Sequence, residues 1–102
     1  MPNVILSKEA QKDLQAIRAY IRDELSNPDA ARETIRALRE TVSSLQQMPE
    51  RGTPLDTVLS IHTEYRFLLC KNYRVFYLCD ESTVEIVRVL HNLQDYMRAL
   101  FS

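Results

Sequence analysis

The sequence predicts an α+β fold, a helical hairpin packed on a small antiparallel sheet in the order β-α-α-β-β-β with a short C-terminal helix. Three observations predict it. Apolar residues recur at helical spacing through the first half, and the second half is rich in aromatic and β-branched residues with short polar breaks. A loop holding the only glycine of the chain lies between the halves.

Asn3-Val4-Ile5-Leu6 is a short apolar run, read as a strand and stopped by Ser7, whose hydroxyl can accept a backbone N–H and cap a helix. From Lys8, Ala10, Leu14, Ile17, Ile21 and Leu25 step by three or four and define one helix face, with Lys12, Arg18, Arg22 and Asp23 opposite. Asn27-Pro28 ends this helix and starts the next, since Asn caps well and Pro costs nothing at the first helical position. Ile35, Leu38, Val42 and Leu45 form the second stripe, which ends before Pro49; Arg32, Glu33, Arg36, Arg39 and Glu40 form its solvated face. Met48 to Pro54 is a loop. Tyr65 to Cys70, Tyr73 to Asp80 and Thr83 to His91 read as a three-stranded antiparallel meander, and Asp95 can cap a terminal helical turn from Tyr96 to Phe101 on which Met97, Leu100 and Phe101 share a face. Neither the helices nor the meander can stand with an apolar face bare, so the hairpin is expected to cover the sheet.

With 102 residues, 45% hydrophobic and 26% charged, the chain has the size and apolar content of one domain over residues 1–102 with one core. The formal charge of -1 does not advertise nucleic acid, so any phosphate-binding surface must be local. Cys70 and Cys79 lie in apolar strand-like runs without metal-ligand spacing, which implies no zinc and reduced thiols. Neither a secretory leader nor a membrane span is evident, and the expectation is a cytoplasmic protein without metal or cofactor.

Tyr73-Arg74-Val75-Phe76-Tyr77, Arg88-Val89-Leu90-His91 followed by Asp95-Tyr96, and the loop Pro49-Glu50-Arg51-Gly52 together resemble toxins of the RelE/ParE superfamily, over the whole chain. The resemblance implies the toxin half of a bacterial type II toxin-antitoxin pair, held inactive by a cognate antitoxin. It leaves the target open. RelE-like members cut messenger RNA in the ribosome, whereas ParE-like members act on DNA gyrase without chemistry of their own, and an inactive relative is a third reading.

Cleavage through a 2′-hydroxyl needs a base, an acid and cations for the developing phosphorane-like charge. By resemblance the catalytic candidates are Arg66, Arg74, His91 and Tyr96. Arg66 matches the first basic strand position, but Leu68 stands where a second would lie. Arg74 matches the arginine of Tyr-Arg and is read either as a phosphate clamp or as an ordinary strand arginine. His91 is a proton shuttle or a structural strand-end histidine, and Tyr96 is a stacking or acid group or a core aromatic. Asn92-Leu93-Gln94 is neutral where RelE-like toxins place basic residues. Lys71 and Arg51 are turn and loop charges near the same surface, His62 reads as a surface residue, and the facing of Arg88 is open because no Asn-Gly turn sets its register. Phe67, Phe76 and Phe101 are candidates for apolar surface that an antitoxin covers.

Overall fold

The structure, a computed structural model, describes residues 2–92 and 94–101. β1 (Asn3–Leu6) leads into α1 (Lys8–Ala19) through Ser7. The Ser7 hydroxyl accepts the Ala10 N–H at 3.0 Å and donates to the Val87 carbonyl at 2.7 Å, so one side chain both caps the helix and ties it to the sheet. The helix does not continue regularly to Leu25. Tyr20–Glu24 forms a π-helical turn, closed by the Leu25 N–H on the Tyr20 carbonyl at 3.2 Å. The wider turn rotates the apolar stripe: Ile21 stays buried and Leu25 swings out to 56% exposure.

α2 (Pro28–Ser44) begins as the dipeptide Asn27-Pro28 predicts, with the Asn27 carboxamide oxygen accepting the Ala30 N–H at 3.0 Å. Ile35, Leu38, Val42 and Leu45 are all buried. The hairpin lies on one face of a sheet whose strands are β1, β2 (Thr53–Pro54), β3 (Arg66–Cys70), β4 (Tyr73–Cys79) and β5 (Thr83–His91). Their order is β1-β5-β4-β3-β2. The meander is antiparallel as expected, but β1 pairs in parallel with β5, so the whole sheet is mixed. Thr53–Pro54, expected as loop, adds a two-residue edge strand where the missing proline N–H is harmless. Leu55–Thr57 follows as a 3₁₀ turn that buries Leu55 completely.

The hairpin-side core joins Ala10, Ile17, Leu38 and Leu45 to Val75, Tyr77, Val84 and Ile86. A second, smaller core lies on the opposite face, where Phe67, Phe76 and Leu90 meet Leu55 and the helix α3 (Tyr96–Phe101). The Asp95 carboxylate caps α3 through the Arg98 N–H at 3.2 Å. Tyr96, Ala99 and Leu100 form its inward face, whereas Met97 and Phe101 are 39% and 44% exposed, so the expected Met97, Leu100 and Phe101 stripe is corrected by one helical step. Phe67 and Phe76 are buried in this core, leaving Phe101 as the exposed one of the three phenylalanines.

Asp80 closes the β4–β5 turn by accepting the N–H groups of Ser82 and Thr83, each at 2.8 Å, which holds its carboxyl below the usual range. A bulge then makes Phe76 oppose Arg88 and Tyr77 oppose Ile86, leaving Val87 as the extra residue. Ile86 and Val89 consequently both join the hairpin-side core, although strict alternation would send them to opposite faces.

Candidate functional site

The bulge also decides where Arg88 goes. Its Nε and Nη2 donate to the two carboxylate oxygens of Asp13 on α1, both at 2.8 Å, and Asp13 further accepts the Val89 N–H at 2.9 Å. This bidentate, partly buried pair raises the Arg88 pKa and locks α1 to the sheet. Arg88 therefore does not share a surface with Arg74.

Arg66 is the Cα partner of Tyr77, whose ring belongs to the hairpin-side core. Its Nη1 donates to the Glu50 carbonyl at 3.1 Å and the Gly52 carbonyl at 2.8 Å. The Tyr77 hydroxyl completes this latch, donating to the Pro49 carbonyl at 2.8 Å and accepting the Gly52 N–H at 2.9 Å. Burial raises the Tyr77 pKa, against the opposing Gly52 bond, so the hydroxyl keeps the proton it donates. A side chain at Gly52 has no room, since a Cβ there would lie 2.5 Å from the Tyr77 hydroxyl oxygen. The Pro49 to Gly52 loop is thus a fastening for Tyr77 and Arg66. Leu68, the Cα partner of Val75 on β3, packs against the hairpin-side core.

Arg74 lies on the other face. Its guanidinium carbon sits 5.2 Å from the Phe67 ring centroid and 5.4 Å from that of Tyr96, within cation–π range of both. Tyr96 in turn packs on Phe76 at 5.3 Å between ring centroids. Arg74 Nε is buried without a hydrogen-bond partner among the described residues. Leu69, the Cα partner of Arg74 on β3, is 61% exposed beside it. A cation held between two rings, next to an exposed apolar side chain, can meet an anionic group on a partner surface.

His91 is the Cα partner of Tyr73, on whose ring it packs edge to face at 5.4 Å. It lines a pocket beneath α1 with Asp13, Ile17, Tyr20 and Tyr73, and its N–H donates to the Gln94 side-chain oxygen at 2.9 Å. Of the four candidates, Arg74 and Tyr96 are brought together on the α3 side. Arg66 and His91 lie on the hairpin side and belong to different clusters there. Asn92 and Gln94 are exposed, and Leu93 lies outside the described residues. Lys71 and Arg51 are exposed turn and loop residues, with Arg51 donating to the Ser44 hydroxyl. His62 is an exposed residue between two acids, Asp56 and Glu64. Asp13 is the participant that sequence reasoning missed: it reads as one more polar residue of α1, and only the tertiary pairing reveals its role.

A helical hairpin on a mixed sheet, with a second small core under a C-terminal helix, is the architecture of RelE/ParE-like toxins. The chain belongs to the family of ParE toxins of type II toxin-antitoxin systems, whose family model matches residues 4–96. Among solved structures it is similar to a chain of the chromosomal ParDE toxin-antitoxin system from P. aeruginosa, with a TM-score of 0.74 and 22% identity over 89% of this chain and 96% of that one. It is also similar to a chain of the E. coli DinJ-YafQ complex and to YafQ from E. coli strain BL21(DE3), with TM-scores of 0.54 and 0.55, each at 14% identity over the full length of both chains. No curated protein matches the sequence. Among the described residues, no helix is long and apolar enough to cross a membrane.

Proposed function

We propose that this chain is a growth-inhibiting toxin that acts in the cytoplasm by binding its target, in the ParE manner and without RNA chemistry, and that a cognate antitoxin neutralises it. The observation that carries the reading is the split of the candidate residues between the two faces of the sheet. Arg66 is engaged by loop carbonyls and His91 packs on Tyr73, so neither faces the Arg74 guanidinium across a space where a phosphate would sit. What remains at Arg74 is a binding surface, built from a ring-stacked cation and exposed Leu69. The ParE family match favours DNA gyrase as the target. The likeness to the ParDE system and to the DinJ-YafQ complex supports a partner protein encoded with the toxin. Residues 1–102 act as one domain in this reading.

The test is a supercoiling assay with purified gyrase and the purified chain. The parent should inhibit, and Arg74→Ala should inhibit at least about tenfold less, the loss expected of an interface arginine worth more than ~1 kcal/mol. Inhibition of translation with cut ribosome-bound message, and none of gyrase, contradicts the proposal.

A further inference from the structure

We infer that the pocket beneath α1 is a binding site for a small, flat, uncharged heteroaromatic molecule of the nucleoside kind, seated among Tyr20, Tyr73 and His91. The pocket has a volume of about 450 Å³ and lies on the hairpin side of the sheet, where Tyr73 and Ile17 belong to the larger core. That volume falls within the ~300–1,000 Å³ of small-molecule sites. Tyr73 on β4 and His91 on β5 meet edge to face at 5.4 Å. Tyr20, at the end of α1, adds a third ring that is 53% exposed. Tyr20 is also the first residue of the π turn, a conformation that recurs at functional sites.

A second observation is the Tyr73 hydroxyl. Tyr73 is only 9% exposed, yet its hydroxyl has no hydrogen-bond partner among the described residues. A buried phenol ordinarily finds one, and this residue lines the pocket. Burial, then the neighbouring Tyr20 phenol, raises the Tyr73 pKa, so the hydroxyl keeps a proton to donate. Gln94 brings a carboxamide to the same space. Charge narrows the class of occupant. The acidic lining residue is Asp13, whose carboxylate is already neutralised by Arg88 and bonded by the Val89 N–H. Among the described residues no lysine or arginine lines the pocket, so a phosphate finds no cation there, and an ammonium finds no uncompensated carboxylate. A flat heteroaromatic ligand uses the rings for stacking and presents an acceptor to Tyr73, whereas an aliphatic one leaves the phenol unpaired.

The probe is adenosine, titrated into the ¹⁵N-labelled chain and followed by amide chemical shifts, with adenosine monophosphate, spermidine and toluene as comparisons. Adenosine should give shifts that saturate below about 1 mM and centre on Tyr20, Tyr73, Val89 and His91. Tyr73→Phe keeps the ring and removes the hydroxyl, and should weaken binding at least about threefold, the loss of one net hydrogen bond. Tyr20→Ala removes a stacking ring and should weaken it at least about fivefold. Because Tyr20 is exposed, this second variant keeps the test decisive if Tyr73→Phe fails to fold. Shifts mapping elsewhere, an absence of saturation, equal binding of spermidine or toluene, tighter binding of the monophosphate, or variants that bind as the parent does would each overturn the proposal. Neither gyrase nor a neutralising protein enters the measurement, so its outcome is independent of the toxin reading above.

Discussion

The Tyr77 hydroxyl carries two bonds that hold the Pro49 to Gly52 loop, and both partners are backbone groups. Tyr77→Phe leaves a buried N–H and a carbonyl unpaired and should cost about 1–3 kcal/mol in urea melts. Gly52→Ala should also destabilise, because its Cβ meets the immobile Tyr77 ring rather than the end of a flexible chain. His62 offers a test by titration. Its hydrogen bond to Glu64, then that to Asp56, raises its pKa above the ordinary ~6.5. A raised histidine pKa means that its stabilising contribution is whole below about pH 6.5 and is lost as pH rises through the folded value. An NMR titration should place the His62 midpoint above that of an unstructured histidine, and Glu64→Gln should lower it. The structural roles of these residues were illegible beforehand: the Pro-Glu-Arg-Gly motif was recognisable, but its purpose depends on contacts to strands 14 to 28 positions away.

At the scale of elements, periodicity and capping located most of what the chain builds. Both caps, Ser7 and Asn27, accept the N–H groups expected of them, and the strands of the meander begin and end within a residue of the sequence reading. What stayed hidden are departures from regular period. The π turn at Tyr20–Glu24 rotates Leu25 out of its stripe while Ile21 stays buried, and the bulge at Val87 shifts Arg88 onto Asp13, a pairing across 75 positions that local pattern does not encode. The parallel partnership of β1 with β5 joins residues about 80 positions apart and equally leaves no local mark. Leu38→Ala should cost roughly 2–5 kcal/mol, since Leu38 is fully buried where α2 meets the sheet and truncation leaves a cavity. Arg36→Ala should cost a small fraction of that, because its pairs with Glu33 and Glu40 are solvent-exposed and screened. Comparable losses in the two melts would contradict the assignment of helix faces.

At the scale of the whole molecule, the two faces of the sheet have different tasks. The hairpin face builds the larger core and absorbs Arg66, Arg88 and His91 into structural contacts, while the α3 face holds Arg74 between Phe67 and Tyr96 at the surface. By resemblance Arg66, Arg74, His91 and Tyr96 form one candidate set, and the alternation of strand residues separates Arg66 and His91 from Arg74. The proposed reading, a toxin that acts by binding its target, is compatible with that separation, whereas a ribonuclease needs base, acid and cation placed around one phosphate. The most direct measurement is transcriptome-wide mapping of RNA 5′ ends after induction at a level that stops growth, since it reads target and chemistry together. The account predicts growth arrest with raised DNA-damage-response transcripts and no new ends inside coding regions, whereas abundant new ends within translated codons, with that response unchanged, would contradict it.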